Sequence, residues 1–316
     1  MIADAGRPGR LATVDLGTNT VRLLVVEAAG GVWRPLHQTQ RVTRLGEGQA
    51  AAGRLLPEPM RRTAAAVAEF ARAAREWGAT RVRIVATSAV REAANRAEFV
   101  ARLEAEAGEA VEVVSGEDEA RLTLRGVGSD LPGLGDAFVL FDIGGGSTEL
   151  VRARGGRVVA AVSLRLGVVG LVEEWGDPGP VRWERFAWMR EGIERRLAAE
   201  VPEAIAESGA GELVGTAGTV TTLAALDLGL PAYDAARVHG HRLGRAAVER
   251  ELARLGALPV ADRGRLPCLE PGRADVIIPG IAICLAVMAH FDREHLLVSD
   301  RGLREGILCE LLGPAS

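Results

Sequence analysis

Phe138-Val139-Leu140-Phe141-Asp142-Ile143-Gly144-Gly145-Gly146-Ser147-Thr148-Glu149-Leu150-Val151 is the stretch whose reading decides the fold. An apolar run of β character drives into a carboxylate, three glycines turn the backbone, and Ser, Thr and Glu follow as the chain leaves in a second β-type run. This reads as a hairpin whose turn holds phosphate and metal. Glycine lacks a Cβ, so the backbone can take φ > 0 and bring successive N–H groups against an anion. A carboxylate at the strand end can hold a hydrated divalent cation. A tight hairpin without a ligand is the competing reading, but Asp142 before the glycines and Ser147-Thr148-Glu149 after them favour a site.

Working outward, the loop has a counterpart near the N-terminus. Leu11-Ala12-Thr13-Val14-Asp15-Leu16-Gly17-Thr18-Asn19-Thr20-Val21-Arg22-Leu23-Leu24-Val25-Val26 aligns with it without a gap: Asp15 on Asp142, Gly17 on Gly144, Thr20 on Ser147 and Arg22 on Glu149. The offset of 127 residues is the size of a domain and too long for a solenoid repeat. Two similar hairpins from an old duplication, one per half, can hold a polyphosphate and its cation between them, with Asp15 as a further cation ligand.

Composition narrows the classes. The chain has 316 residues, 48% hydrophobic and 25% charged, enough for two domains with proper cores. The net charge of −4 argues against a general nucleic-acid surface. All 38 basic residues are arginine, which excludes a Walker-type P-loop lysine, a protein-kinase lysine and Schiff-base chemistry. Cys268, Cys284 and Cys309 are odd in number and lack any C-x-x-C pair, so a reducing, cytoplasmic location without disulfides or a zinc site is expected. His239-Gly240-His241 has no carboxylate or cysteine partner nearby in sequence and is a weak metal pair. Met1 to Arg10 read as a frayed tail without an apolar signal-peptide core. The longest apolar run, Val276–Ala289, has 14 residues and contains Pro279-Gly280, too short and broken for a bilayer span of about 20 residues. It is expected to be a buried helix, and no membrane partner is expected.

Along the chain, strand Val32–Val42 completes a meander after the first hairpin. Met60, Ala64, Val67, Phe70, Ala71, Ala74 and Trp77 recur at spacings of three and four, an amphipathic helix opened by Pro57 and Pro59 and stopped by Gly78. Strand 82–86 runs into Thr87-Ser88-Ala89-Val90-Arg91, hydroxyls and an arginine at a strand's carboxyl end, where open α/β sheets place ligands. A helix to about Ala107 and strand 111–114 follow. Ser115-Gly116-Glu117-Asp118-Glu119-Ala120-Arg121 then resembles a capping box, so Glu117 and Asp118 can merely answer the helix macrodipole. Glu119, further into the first turn, is placed to act as general base, with Arg121 bracing it. Leu131-Pro132-Gly133-Leu134-Gly135 reads as the hinge between domains 1–130 and 136–302. Past the glycine loop come strand 157–164, a helix 183–201, and Gly215-Thr216-Ala217-Gly218-Thr219, a third strand–loop–helix whose N–H groups can meet an anion or a ribose.

Asp15-Leu-Gly-Thr-Asn-Thr, Ser115-Gly-Glu-Asp-Glu-Ala-Arg, Asp142-Ile-Gly-Gly-Gly-Ser-Thr-Glu-Leu, Gly215-Thr-Ala-Gly-Thr, Arg273-Ala-Asp-Val-Ile-Ile-Pro-Gly and Val298-Ser-Asp-Arg-Gly-Leu-Arg-Glu-Gly together resemble the exopolyphosphatase / guanosine pentaphosphate phosphatase (Ppx/GppA) family of the actin–Hsp70–sugar-kinase superfamily. The resemblance covers nearly the whole chain. It implies an α/β fold of two ribonuclease-H-like (actin-like ATPase) domains with an interdomain cleft, and a last helix, about 303–312, packed back on the first domain. It also implies the short form without the extra helical domain of longer members, and a homodimer. The implied activity is hydrolysis of a terminal phosphoanhydride with Mg2+ or Mn2+, on inorganic polyphosphate or guanosine pentaphosphate. Carried over by residue, Glu119 activates water, and Asp142 and Glu149 position the metal and the water. Gly144, Gly145, Gly146 and Ser147 hold phosphates from one side and Gly17, Thr18, Asn19 and Thr20 from the other, with Arg22 and Arg91 neutralising charge.

Three rivals stand beside this reading. A sugar or acetate kinase shares the hairpins, but the acidic Glu117-Asp118-Glu119 helix start suits water attack better. An aspartic protease needs a hydroxyl where Leu16 and Ile143 stand, and it would lack the long amphipathic helices. A regulator that binds polyphosphate or an alarmone without cleaving it is disfavoured because all the catalytic groups are present.

Overall fold

The computed structural model describes residues 9–206 and 211–313. The chain divides into two compact units, one of residues up to Gly126 together with those from Leu303 onward, the other Val127–Gly302. The division falls at the end of a helix, Gly116–Val127. Leu131–Gly135, expected as the hinge, lies within the second unit, where the Pro132 ring rests beside Gly240. Gly9 and Arg10, expected in a frayed tail, open the first strand, and Arg10 Nη1 donates to the Trp77 carbonyl at 2.9 Å. The rest of that expected tail lies outside the described residues.

In the first unit β1 (Gly9–Leu16), β2 (Thr20–Ala29) and β3 (Val32–Val42) form an antiparallel meander. β4 (Arg81–Ala86) and β5 (Val111–Val113) add in parallel, giving the order β3-β2-β1-β4-β5. β2 is buried on both faces because its side chains alternate between two cores. Val21, Leu23 and Val25 pack with Met60, Ala64, Val67 and Phe70 of the Pro57–Glu76 helix, while Leu24 and Val26 pack with Leu308 of the Leu303–Leu312 helix. Proline at the first position of the Pro57–Glu76 helix loses no hydrogen bond there, and Gly78, at φ +80°, follows its end.

The second unit repeats the plan. β6 (Ala137–Ile143), β7 (Thr148–Arg154) and β8 (Arg157–Leu164) form the meander, β9 (Glu212–Thr216) lies parallel to β6, and β10 (Arg242–Gly244) and β11 (His295–Val298) complete the order β10-β11-β9-β6-β7-β8. The irregularity between Val25 and Val26 recurs between Arg152 and Ala153, at the same 127-residue offset as the aspartates. The two meanders therefore share even their bulge, which supports a common origin.

The core of the second unit is built around the Ile277–His290 helix, whose residues from Ile277 to Met288 are all buried. Pro279-Gly280, expected to break this run, sits inside the helix. Proline is tolerated in a first turn, and Gly280 admits the Thr219 side chain, whose Oγ1 would lie 2.3 Å from an added Cβ. Among the described residues no helix is long and apolar enough to cross a membrane. Cys284 lies in this helix as a free thiol, and burial pushes its pKa up to about 12.

Candidate active site

The two hairpin turns close alike: Gly17 N–H donates to Thr20 O at 3.1 Å and Gly144 N–H to Ser147 O at 2.9 Å. Neither glycine takes a positive φ, contrary to the expectation for these loops; both are required for space. An added Cβ would stand 3.0 Å from Thr20 O and 2.9 Å from Ser147 O. Each turn is also held from beneath by the chain leaving its own meander. Thr43 and Arg44 N–H both donate to Asn19 O, and Gly46 N–H donates to Thr18 O at 3.0 Å. In the second unit Val168 N–H donates to Gly144 O and Val169 N–H to Gly145 O, at 3.2 and 2.9 Å, with Gly167 pressed against Gly145 and Gly146.

One row of side chains crosses each sheet just before the turn. In the second unit it runs Ser163, Glu149, Asp142, Thr216; in the first, Gln40, Arg22, Asp15, Val85. Residues directly opposite on adjacent strands share a face, so Asp142 and Glu149 stand side by side. Ser163 Oγ donates to Glu149 Oε1 at 2.7 Å and fixes that carboxylate. In the first unit Arg22 replaces the second acid and lies 3.7 Å from Asp15. Burial pushes the Asp15 carboxyl above its ordinary value, Arg22 and Arg304 pull it back, and Glu305 adds to the rise. Asn19 Oδ1 is buried without a hydrogen-bond partner.

Glu119 is only 8% exposed. Ser115 caps its helix: Ser115 Oγ accepts from Asp118 N–H at 3.0 Å and donates to Asp118 Oδ2 at 2.7 Å. Arg91 Nη1 donates to Glu119 Oε2 at 2.8 Å and to Val114 O at 3.1 Å. Arg91 thus braces Glu119, whereas Arg121, expected in that role, pairs with Asp118 and Glu310. Residues two apart on a helix point away from one another and residues three apart are neighbours, so position 121 meets 118 and not 119. Ala89 N–H, at the start of the Ser88–Glu92 helix, donates to Thr18 Oγ1 at 3.2 Å, which ties the Thr87–Arg91 segment to the first hairpin.

The third loop is more tightly packed than expected. Gly215 lies under the Phe141 ring, 2.7 Å from where its Cβ would stand, and Thr219 faces Gly280. The Arg273 guanidinium covers Gly218, with Nη1 2.1 Å from an added Cβ. Ala217 carries φ +70°, a strained value for alanine at the strand-to-helix turn, and the Thr216 hydroxyl lies within hydrogen-bond distance of the Ser299 and Arg301 carbonyls. His239 and His241 do meet carboxylates, which the local sequence hid. His239 Nε2 is 3.3 Å from Asp130 and His241 Nε2 2.9 Å from Asp227. Among the described residues no group of three or more His, Cys, Asp or Glu side chains gathers as a metal site. Sequence reasoning missed Ser163 and Arg304; the first announces itself only through strand pairing, the second lies in the Val298–Gly306 motif without a stated role.

Two sheets of like strand order, each opening on an Asp-x-Gly hairpin, define a protein of the actin-like ATPase fold class. The chain belongs to the Ppx/GppA phosphatase family, whose profile matches residues 24–314. It is similar to Exopolyphosphatase 2 of Mycobacterium tuberculosis, at 37% identity over 96% of this chain and 99% of that protein. Among solved structures it resembles the Ppx/GppA family member of Aquifex aeolicus, at 32% identity, TM-score 0.81, and 97% and 98% coverage of the two chains. It also resembles an exopolyphosphatase from Cytophaga hutchinsonii, at 26% identity, TM-score 0.88, and 96% and 97% coverage. The family and fold implied by the motifs therefore hold, and the chain is a phosphoanhydride hydrolase.

Proposed function

We propose that this chain is an exopolyphosphatase that hydrolyses the terminal phosphoanhydride of inorganic polyphosphate with a divalent cation, Mg2+ or Mn2+, and Glu119 as general base. The observation that carries the reading is Glu119 itself, a nearly buried carboxylate presented by a capped helix start and oriented by Arg91 at 2.8 Å. The similarity to an exopolyphosphatase along the whole chain supports polyphosphate over guanosine pentaphosphate, whose terminal triphosphate presents the same bond.

The donor sets fit a cation that keeps most of its water. Asp142 and Glu149 supply two adjacent carboxylates, and Mg2+ is commonly held by one or two carboxylates plus substrate phosphates and waters. Asp15 fits less well, because Arg22 already answers its charge, although the orphaned Asn19 Oδ1 would accept a bond from a coordinated water. When bound, the cation supplies positive charge over the phosphoryl oxygens. Glu119 takes the proton of the attacking water, the new P–O bond forms, and the bond to the bridging oxygen breaks. Orthophosphate leaves, and a chain shorter by one phosphate remains. The N–H groups of Gly145, Gly146 and Ser147, and those of Thr18, Asn19 and Thr20, donate to phosphate oxygens where charge gathers, while the Gly17 and Gly144 N–H groups close their own turns.

Phosphate release with magnesium, measured in parallel on long-chain polyphosphate and guanosine pentaphosphate, is expected to show the higher kcat/KM on polyphosphate. A higher value on the nucleotide moves the assignment to guanosine pentaphosphate phosphohydrolase, and binding of both without release makes the protein a regulator. Ser163→Ala, which removes the hydrogen bond on Glu149 Oε1, is expected to raise the half-saturating magnesium concentration about tenfold, the scale seen when a partner of a metal-binding carboxylate is removed. Titration of the variant with Mn2+ followed by electron paramagnetic resonance checks this without relying on turnover.

A further inference from the structure

We infer that Gly306 and Glu310 of the Leu303–Leu312 helix are positioning residues for Glu119, which makes that helix part of the catalytic apparatus; the inference rests on the general-base reading of Glu119 above. Two independent contacts carry it. An added Cβ at Gly306 would stand 1.8 Å from Leu122 O and 2.6 Å from Leu122 C, so the two helices meet backbone to backbone less than one turn from Glu119. Around this point Val85, Val114, Leu122, Leu303 and Ile307 form a separate small core. Four residues beyond Gly306, the Glu310 carboxylate accepts from Arg83 Nη1 of β4 at 2.7 Å and from Arg121, with Arg125 Nη1 at 3.8 Å.

Arg121 also pairs with Asp118 at 3.4 Å, and Asp118 is locked to the Ser115 cap. A continuous line of polar contacts therefore runs Glu310, Arg121, Asp118, Ser115, and ends at the turn that presents Glu119. Arg91 holds the carboxylate itself. Glu310 fixes the helix that carries it, and Arg83 ties that anchor to the sheet and to Glu112. A displacement of order 1 Å at a reacting group costs about 100-fold in rate, so a brace at this place is kinetically visible.

The test measures kcat and KM for phosphate release from polyphosphate. Glu310→Gln is expected to lower kcat about tenfold with KM within about twofold, and Gly306→Ala to lower kcat about 100-fold, the cost of an ångström-scale shift. Both comparisons are repeated on a Glu119→Gln background, where a residue acting only through Glu119 has nothing left to lose and the residual rate should stay put. Should Gly306→Ala fail to fold, Glu310→Gln, which keeps size and loses only charge, carries the experiment alone. The inference falls if Glu310→Gln retains full kcat, or if it lowers the residual rate of Glu119→Gln by the same factor as the wild type, the mark of a general structural effect. A wild-type rate for Glu119→Gln by itself is a different outcome; it removes the general-base reading and this inference together.

Discussion

Glu119→Gln should lower kcat for phosphate release by about 100- to 10,000-fold, the range that a positioned general base contributes. The amide keeps the shape of the carboxylate and can still accept a bond from Arg91, so the capped helix and the 2.8 Å contact should survive in altered form. What it cannot do is take a proton from water. Binding of polyphosphate, measured by titration calorimetry with magnesium present, should therefore persist while turnover collapses. A variant that turns over within tenfold of wild type would assign the base to another group.

The second large effect is expected from Gly167→Ala. A Cβ there would stand 2.3 Å from Gly145 O, 2.3 Å from Gly146 C and 2.4 Å from Gly146 Cα, all backbone atoms that cannot swing aside as a side chain would. The loop must move, and with it the N–H groups of Gly144 to Ser147. A fall in kcat/KM of about 100-fold or more is expected for a shift of order 1 Å, together with a loss of about 1–3 kcal/mol of stability from overpacking. Gly170→Ala, three residues on and with nothing within 4 Å of its added Cβ, is the control. It sits in the Val168–Trp175 helix and should leave kcat/KM unchanged while raising the thermal midpoint slightly. Equal activities for the two variants would mean that the loop tolerates displacement.

Much of this architecture was legible because it is written in short-range pattern. β-type runs following each hairpin placed β3 and β8 at Val32–Val42 and Arg157–Leu164, and apolar residues at spacings of three and four placed the helix that spans Pro57–Glu76. β10 was not legible: three residues, Arg242–Gly244, carry no period, and their pairing with β11 is a long-range event. The helices Val168–Trp175 and Arg245–Gly256 were not legible either. At the candidate site, residue types were readable and partners were not. Arg91 lies 28 positions from Glu119 and Glu310 lies 189 positions from Arg121, distances in sequence over which only tertiary structure decides who pairs. Gly17 and Gly144 are required for a reason the sequence does not display, a crowded carbonyl and not a left-handed dihedral.

The division of the chain gives the order of synthesis a physical meaning. The unit that carries Glu119 comprises residues up to Gly126 and then, after 176 residues belonging to the other unit, those from Leu303 onward. At about 5–20 residues per second, roughly 10–35 seconds of translation separate the two parts. During that interval the nascent first sheet has β2 open on the face that Leu308 will cover, and Arg83 and Arg121 wait for Glu310. The ribosome thus delivers the second unit complete before the first can close, and the apolar face of the early sheet that Leu308 later covers is the segment on which a chaperone would have reason to act.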